Sequence, residues 1–250
     1  MSNLDGFVRH SKSQPAIFAT SQEIRDRSST FVGTIYRAST PQDAQKAIRH
    51  LKNVVHGSKP PTHAIAAWRC MVLKPGRTGL AGPDDFEVQS GCDDDKEDWA
   101  GGKVLNVMKA EAVMDAVVIV SRWYGGIMLG PVRFAHIETC AREVCKTYKK
   151  TEEMDDCVAT LETLDALLAE VRAKLSTTSP SSVEKTASSS ETNARGHIAK
   201  KSDYSALRRE GDLSKARRLV TAREKAVQHV KAILAKQTKS LAETKGPLTN

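Results

Sequence analysis

The sequence predicts an α+β fold, one sheet with helices packed on it as a two-layer sandwich, followed by C-terminal helices. Three observations carry this. Between residues 20 and 150, segments with the period of a strand alternate with segments with the period of a helix. Residues 116–120, "AVVIV", form a continuous apolar run of the kind expected of a central strand buried on both faces. Past residue 150 the apolar residues fall at heptad spacing, and the strand pattern stops.

The elements follow in order. Residues 1–19 are polar at their start and are expected to be a flexible N-terminus. "STFVGTIYRAS", 29–39, alternates and is rich in β-branched and aromatic residues, which predicts a strand. In "TPQDAQKAIRHLKNVV", 40–55, Thr40 caps, Pro41 takes the first helical position, and Ala44, Ala47, Ile48, Leu51 and Val55 share one face. "THAIAAWRCMVL", 62–73, reads as a strand, and the Gly- and Pro-rich stretch after it as an exposed loop. "FEVQSGCDDDKED" continues as a short strand into an acidic loop. Residues 100–113 read as a short helix, 115–124 as the buried strand, and the segment from about 131 as another helix. This domain is expected to span 20–150.

Beyond it, Met154, Cys157, Leu161, Leu164, Leu168, Val171 and Leu175 alternate steps of three and four, a heptad seam over residues 151–176. Residues 177–201 are Ser- and Thr-rich and too poor in apolar side chains to offset their ordering entropy, so a disordered linker is expected. A second helix, 202–243, carries Leu213, Ala216, Val220, Val227, Val230, Leu234 and Leu241 in a broken register, with Arg223 and Gln237 intruding. A seam needs a partner, so the two helices are expected to pair antiparallel as a coiled-coil hairpin, ahead of a short tail, 244–250.

Charge is uneven. Residues 197–250 hold 13 Lys and Arg against 5 Asp and Glu, a local net charge of +8 that accounts for the whole chain's +8. Attraction to RNA, ribosomes or acidic surfaces therefore belongs first to this tail, set against the plain alternative of a solvated helix face. The five cysteines form no CxxC pair, and Cys140 and Cys145, in a stretch of helical period, read as small core residues rather than a zinc site or disulfide. There is neither a signal-like apolar N-terminus nor a membrane-length apolar run, so a cytoplasmic protein without a membrane role is expected.

The stretch "VVIVSRWYGGIMLGPVRFAHI", 117–137, bears more chemistry than its turn requires. Gly125, Gly126 and Gly130 suit a sharp reversal with positive φ, and Pro131 suits a helix start. Arg122, Arg133 and His136 are surplus to that need. Two guanidiniums beside a helix N-terminus and glycines suit an oxyanion such as an RNA phosphate, with Tyr124 as a stacking surface. The alternative is that Arg122 pairs with the acids of 93–98 and staples a loop. The acidic loop lacks the register of an EF-hand, and no nucleophile and base stand at telling spacing, so neither a metal, a cofactor nor a catalytic group is expected.

Arg122-Trp123-Tyr124-Gly125-Gly126-Ile127, Leu129-Gly130-Pro131, Arg133-Phe134 and His136-Ile137, preceded by Asp94-Asp95, Glu97, Ala100 and Gly101, resemble the signature of the Impact family. Two residues depart from it: Lys96 stands where the family has glycine, and Val132 where it has aspartate. The resemblance covers about residues 20–150. It implies the fold of a small-subunit ribosomal-protein domain and of elongation-factor domain IV. It also implies a non-enzymatic role in translational control and stress response, with ribosome, RNA or translation-control proteins as partners. Eukaryotic members bind a kinase-activating scaffold through an N-terminal RWD domain. About 20 residues precede the match here, so that domain is expected to be absent and that route closed. The competing functional reading is an enzyme acting on a phosphorylated small molecule at Arg122, Arg133 and His136.

Overall fold

A computed structural model describes residues 14–178 and 203–244. The chain divides into two units, 1–150 and 151–250. In the first, the order is β1 (Ile17–Thr20), β2 (Ile24–Asp26), β3 (Ser29–Arg37), α1 (Pro41–His50), β4 (His63–Leu73), β5 (Phe86–Asp93), α2 (Ala100–Ala110), β6 (Ala116–Trp123) and the start of α3 (Val132–Thr178). All pairings are antiparallel, in the order β1-β3-β6-β4-β5, with β2 following β1 along the outer edge of β3.

The helices form as their sequences dictate. The Thr40 hydroxyl accepts the Asp43 N–H at 3.1 Å, and Pro41 occupies the first turn of α1. A single π turn, Leu51–Val55, closes it. The helix α2 begins where the Asp94 carboxylate accepts N–H groups of Trp99, at 3.2 Å, and Gly101, at 2.6 Å.

The expected two layers are three. Alternate side chains of the sheet enter different cores. Phe31, Ile35, Ile65, Val118 and Val120 pack with Val104 and Met108 of α2 and Ile137, Cys140 and Val144 of α3. Tyr36, Ala64, Ala66, Val117 and Ile119 pack with Ala44, Ala47, Ile48 and Leu51 around α1. The cause is β6, whose residues from Ala116 to Arg122 are all buried. A strand dry on both faces needs a cover on each.

β1 and β2 lie within and just after the stretch expected to be a loose N-terminus. Asp26 pairs with Ser29, leaving a two-residue turn, Arg27-Ser28, with φ of 44° and 64°. That is the mirror-image turn matching strand twist, formed here without the usual Asn-Gly.

The second unit holds the rest of α3 with α4 (Ser205–Glu210) and α5 (Leu213–Thr244). Met154, Val158 and Leu161 share a core with Leu207 and Ala216. The antiparallel hairpin of two long helices is not what forms. Glu153 pairs with Arg217 and Asp165 with Arg223, so position rises together along α3 and α5, and the two run parallel. The reversed segment is short α4, where Tyr204 meets Asp165 and Arg208 meets Asp155. Gly211, in the left-handed region at φ 63°, ends α4 and allows α5 to turn back. Residues 1–13, the expected linker from 179 to 202, and 245–250 lie outside the described residues.

Candidate functional site

Four elements converge beyond one end of the sheet. β6 and β4 set Arg122 and His63 opposite each other in register. Both belong to the face covered by α2 and α3, because they alternate with Val120 and Ile65. The loop before α2 brings Glu97, and the first turn of α3 brings Arg133. The result is one carboxylate between two guanidiniums. Arg122 Nη1 donates to Glu97 Oε2, and Arg133 Nε donates to Glu97 Oε1. Glu97 and Arg122 are each 5% exposed. His63 Nδ1 donates to the Asp95 carbonyl at 2.9 Å, and its Nε2 stands 3.6 Å from Glu97.

The other acids of the loop are also engaged. Asp94 holds the start of α2, as above. Asp95 accepts the Ala64 N–H at 2.6 Å and meets Lys52 Nζ at 3.0 Å. Burial pushes the Asp95 carboxyl up, but the Ala64 N–H and the Lys52 ammonium outweigh it and leave its pKa below the ordinary carboxylate value. Thus Asp94, Asp95 and Glu97 tie the loop to α2, β4, β6 and α3, the stapling that arginine-carboxylate geometry favours.

Lys96 sits inside this loop with φ 67°, between Asp95 at 44° and Trp99 at 72°. A side chain in the left-handed region costs roughly 1–2 kcal/mol, partly offset because glycine loses more entropy on folding. Lys96→Gly is therefore expected to stabilise the first unit by about 0.5–1 kcal/mol, read as a higher midpoint in urea unfolding at unchanged slope. A lower midpoint would mean that the Lys96 side chain contributes more than its backbone strain removes.

The pocket beside the staple has a volume of about 370 Å³. Thr62, His63, Lys96, Glu97, Arg122 and Arg133 supply its polar wall, and Tyr124, Met128, Leu129 and Gly130 the rest. Met128 is 81% exposed, Ile127 and Tyr124 about half exposed, and the Arg122 guanidinium carbon lies 5.6 Å from the Tyr124 ring centroid. The Arg122 Nε is buried with no hydrogen-bond partner.

Other expected residues fall elsewhere or take a different role. His136 is not among the pocket-lining residues. Its Nε2 meets Asp26 of β2 at 2.9 Å, and its ring stands 5.3 Å from Phe31. The His136 contact, then Arg27, holds the Asp26 carboxyl below its usual value. Gly126 and Gly130 have positive φ, 87° and 60°, as a reversal requires. Gly125 does not. A Cβ there would lie 2.1 Å from the Ser28 backbone carbon, so close approach rather than dihedral freedom fixes that glycine.

The first turn of α3 is partly used internally. The Arg133 N–H reaches the Gly130 carbonyl at 3.4 Å and the Phe134 N–H the Pro131 carbonyl at 3.1 Å. Arg133 Nη1 also donates to Gly130 O at 2.9 Å. An oxyanion entering here meets Glu97 already seated between the guanidiniums. Sequence reasoning missed His63 and Arg133 as partners of Glu97, since they lie 34 and 36 residues away and only the fold joins them.

The cysteines are free. Cys70, Cys140 and Cys145 are buried, and burial pushes the Cys145 thiol up to about 12. Among the described residues there is no cluster of metal-ligating side chains and no helix long and apolar enough to cross a membrane.

Residues 27–145 match the Impact N-terminal domain. The chain is similar to Protein IMPACT of Homo sapiens and of Bos taurus, each 36% identical over 133 residues. Each match covers 52% of this chain and 38% of the relative. Protein IMPACT-B of Xenopus tropicalis is 36% identical over 124 residues, 49% of this chain and 35% of that protein. The chain thus spans well under half the length of these curated relatives. A solved structure, the two-domain translational regulator Yih1, is 30% identical with a TM-score of 0.34, over 52% of this chain and 45% of that one.

Proposed function

We propose, from the premise that residues 27–145 are an Impact N-terminal domain, that this chain is a non-enzymatic regulatory binding protein of translational control and the stress response. It meets ribosomes, RNA or translation-control proteins in the cytoplasm. The observation that carries this reading is how the signature residues are used. Asp94, Asp95, Glu97, Arg122 and Arg133 hold one another and nearby backbone. They make a stiff platform whose outward groups are Tyr124, Ile127, Met128 and Lys96. Exposed apolar side chains rimmed by charge are the make-up of a recognition surface. Translational control itself comes from what the family resemblance implies.

Polysome sedimentation at low and raised salt tests it. The chain is expected to co-migrate with ribosomal fractions at low salt. Substituting Met128 and Tyr124 by alanine is expected to weaken that association several-fold. A chain absent from ribosomal and RNA-bound fractions at every salt concentration removes the reading.

A further inference from the structure

Seven of the eight Lys and Arg of α5 sort into two sets by what they face. Arg217 pairs with Glu153, Arg223 with Asp165 and Lys215 with Glu210, and Lys231 adds a minor part to the lowering of the Glu170 carboxyl, which Lys174 chiefly causes. These charges neutralise acids of α3 and α4. The other set is Arg218, Lys225 and Lys236, exposed and with no ion-pair partner among the described residues. They are seven and eleven residues apart. At 100° per residue, the three fall within about 20° of one line along the helix. His229, also exposed, lies on that same line.

The line runs opposite the helix's packed side, where Ala216 and Val227 are buried. It holds no acid. The one acid of α5 among residues 213–239, Glu224, points about 100° away from Lys225. From Arg218 to Lys236 the stripe is about 27 Å long at 1.5 Å per residue.

We infer that this stripe of α5 is a docking surface for the phosphate backbone of RNA. The inference rests on the proposed role in translational control for its choice of RNA, and adds to it the surface and the chemistry. A lipid surface fits less well, since an interfacial helix must insert its apolar face, and here that face is packed on α3. A folded protein partner fits less well too. Only Ala222, His229 and Ala232 lie along the line between the charges, and protein interfaces draw their energy from buried aromatic and aliphatic anchors. Cations with no large apolar side chain on their own line, Leu219 standing about 100° aside, match a ligand recognised through phosphates alone. Binding of this kind is sequence-tolerant and falls with salt.

The test uses the full chain and a fluorescent 20-nucleotide single-stranded RNA of mixed sequence. The variant R218A/K225A/K236A keeps the helix, because the side chains are exposed and alanine is the strongest helix former. Circular dichroism checks that. Affinity at low salt is expected to fall at least tenfold. Each lost phosphate contact reduces the salt slope by about 0.7 for a single strand, so the slope is expected to drop by about two. R218K/K225R/K236R is expected to bind as the wild type does. A folded alanine variant with unchanged RNA affinity and slope overturns the inference, as does loss of binding to phosphatidylserine vesicles with RNA binding intact. Wild-type polysome association scored alongside separates the failures. An inert stripe with wild-type co-migration leaves the functional reading standing, and RNA binding through the stripe without co-migration leaves only the surface.

Discussion

Replacing Arg122 by alanine is expected to lower the stability of the first unit by about 3 kcal/mol, because removing one partner of a buried ion pair leaves the other charge uncompensated. Glu97 is almost fully buried, and of its two guanidinium partners only Arg133, the more exposed one, would remain. Its presence keeps the expected loss at the lower end of the range. The readout is straightforward, since all three tryptophans, Trp68, Trp99 and Trp123, lie in residues 1–150. Their fluorescence follows this unit's unfolding apart from that of the helices beyond it. For a unit of this size the loss corresponds to a fall of roughly 6–12 °C in midpoint.

A second variant shows that the cost is electrostatic. R122M/E97L removes both charges and fills the space with apolar atoms, and buried pairs replaced in that way often lose little or gain. The double variant is expected to be more stable than Arg122→Ala alone. If Arg122→Ala melts within about 1 kcal/mol of the wild type, water enters the pocket and relaxes the charge. The staple would then not hold the loop.

Much of this was legible in the chain itself. The strands 29–39, 62–73 and 115–124 and the helix at Pro41 carry strong periodic or capping signals, and all four form. The layer count was misread although its sign was visible. A run such as 116–120 that is apolar at every position has no wet face, and helices must lie on both sides. β1 and β2 are only four and three residues long, and their turn, Arg27-Ser28, lacks the residues that announce a mirror-image turn. With β2 unseen, Asp26 was not available as the partner of His136, and the histidine stood as a surplus group beside the arginines.

The helices of the second unit mark a different limit. A heptad seam gives the face a helix buries and says nothing of the direction its neighbour runs. Direction was settled here by Glu153 with Arg217 and Asp165 with Arg223, and Arg223 had been counted as an intrusion in the seam. The site shows the same division. That Arg122 would meet an acid of the loop was an open alternative, grounded in guanidinium geometry. That Arg133 and His63 would join it on the same carboxylate depends on α3 and β4 ending at one place. No local spacing encodes that.

Gly125 yields the second large effect, and its cause is close approach. A Cβ added there would lie 2.1 Å from the Ser28 carbonyl carbon, 2.2 Å from its oxygen and 2.6 Å from its Cβ. Two of those atoms are backbone, so no rotamer change relieves the overlap. The turn cannot shift freely either, since Asp26 is held by His136 and the Gly125 N–H donates to Ser29 Oγ at 3.2 Å. Overpacking costs typically about 1–3 kcal/mol, and a backbone overlap belongs at the top of that range. Gly125→Ala is therefore expected to lose about 3 kcal/mol by tryptophan fluorescence. Gly126→Ala is the control. At φ 87° with open space around it, it carries only the dihedral cost of roughly 1–2 kcal/mol. Ser28→Gly removes the Cβ contact and eases the positive φ of Ser28, but leaves the carbon and oxygen in place. In that background Gly125→Ala is expected to cost less and still exceed Gly126→Ala. Equal losses for the two alanine variants would mean that the β2–β3 turn yields without resistance. The glycine at 125 would then need another explanation than contact with Ser28.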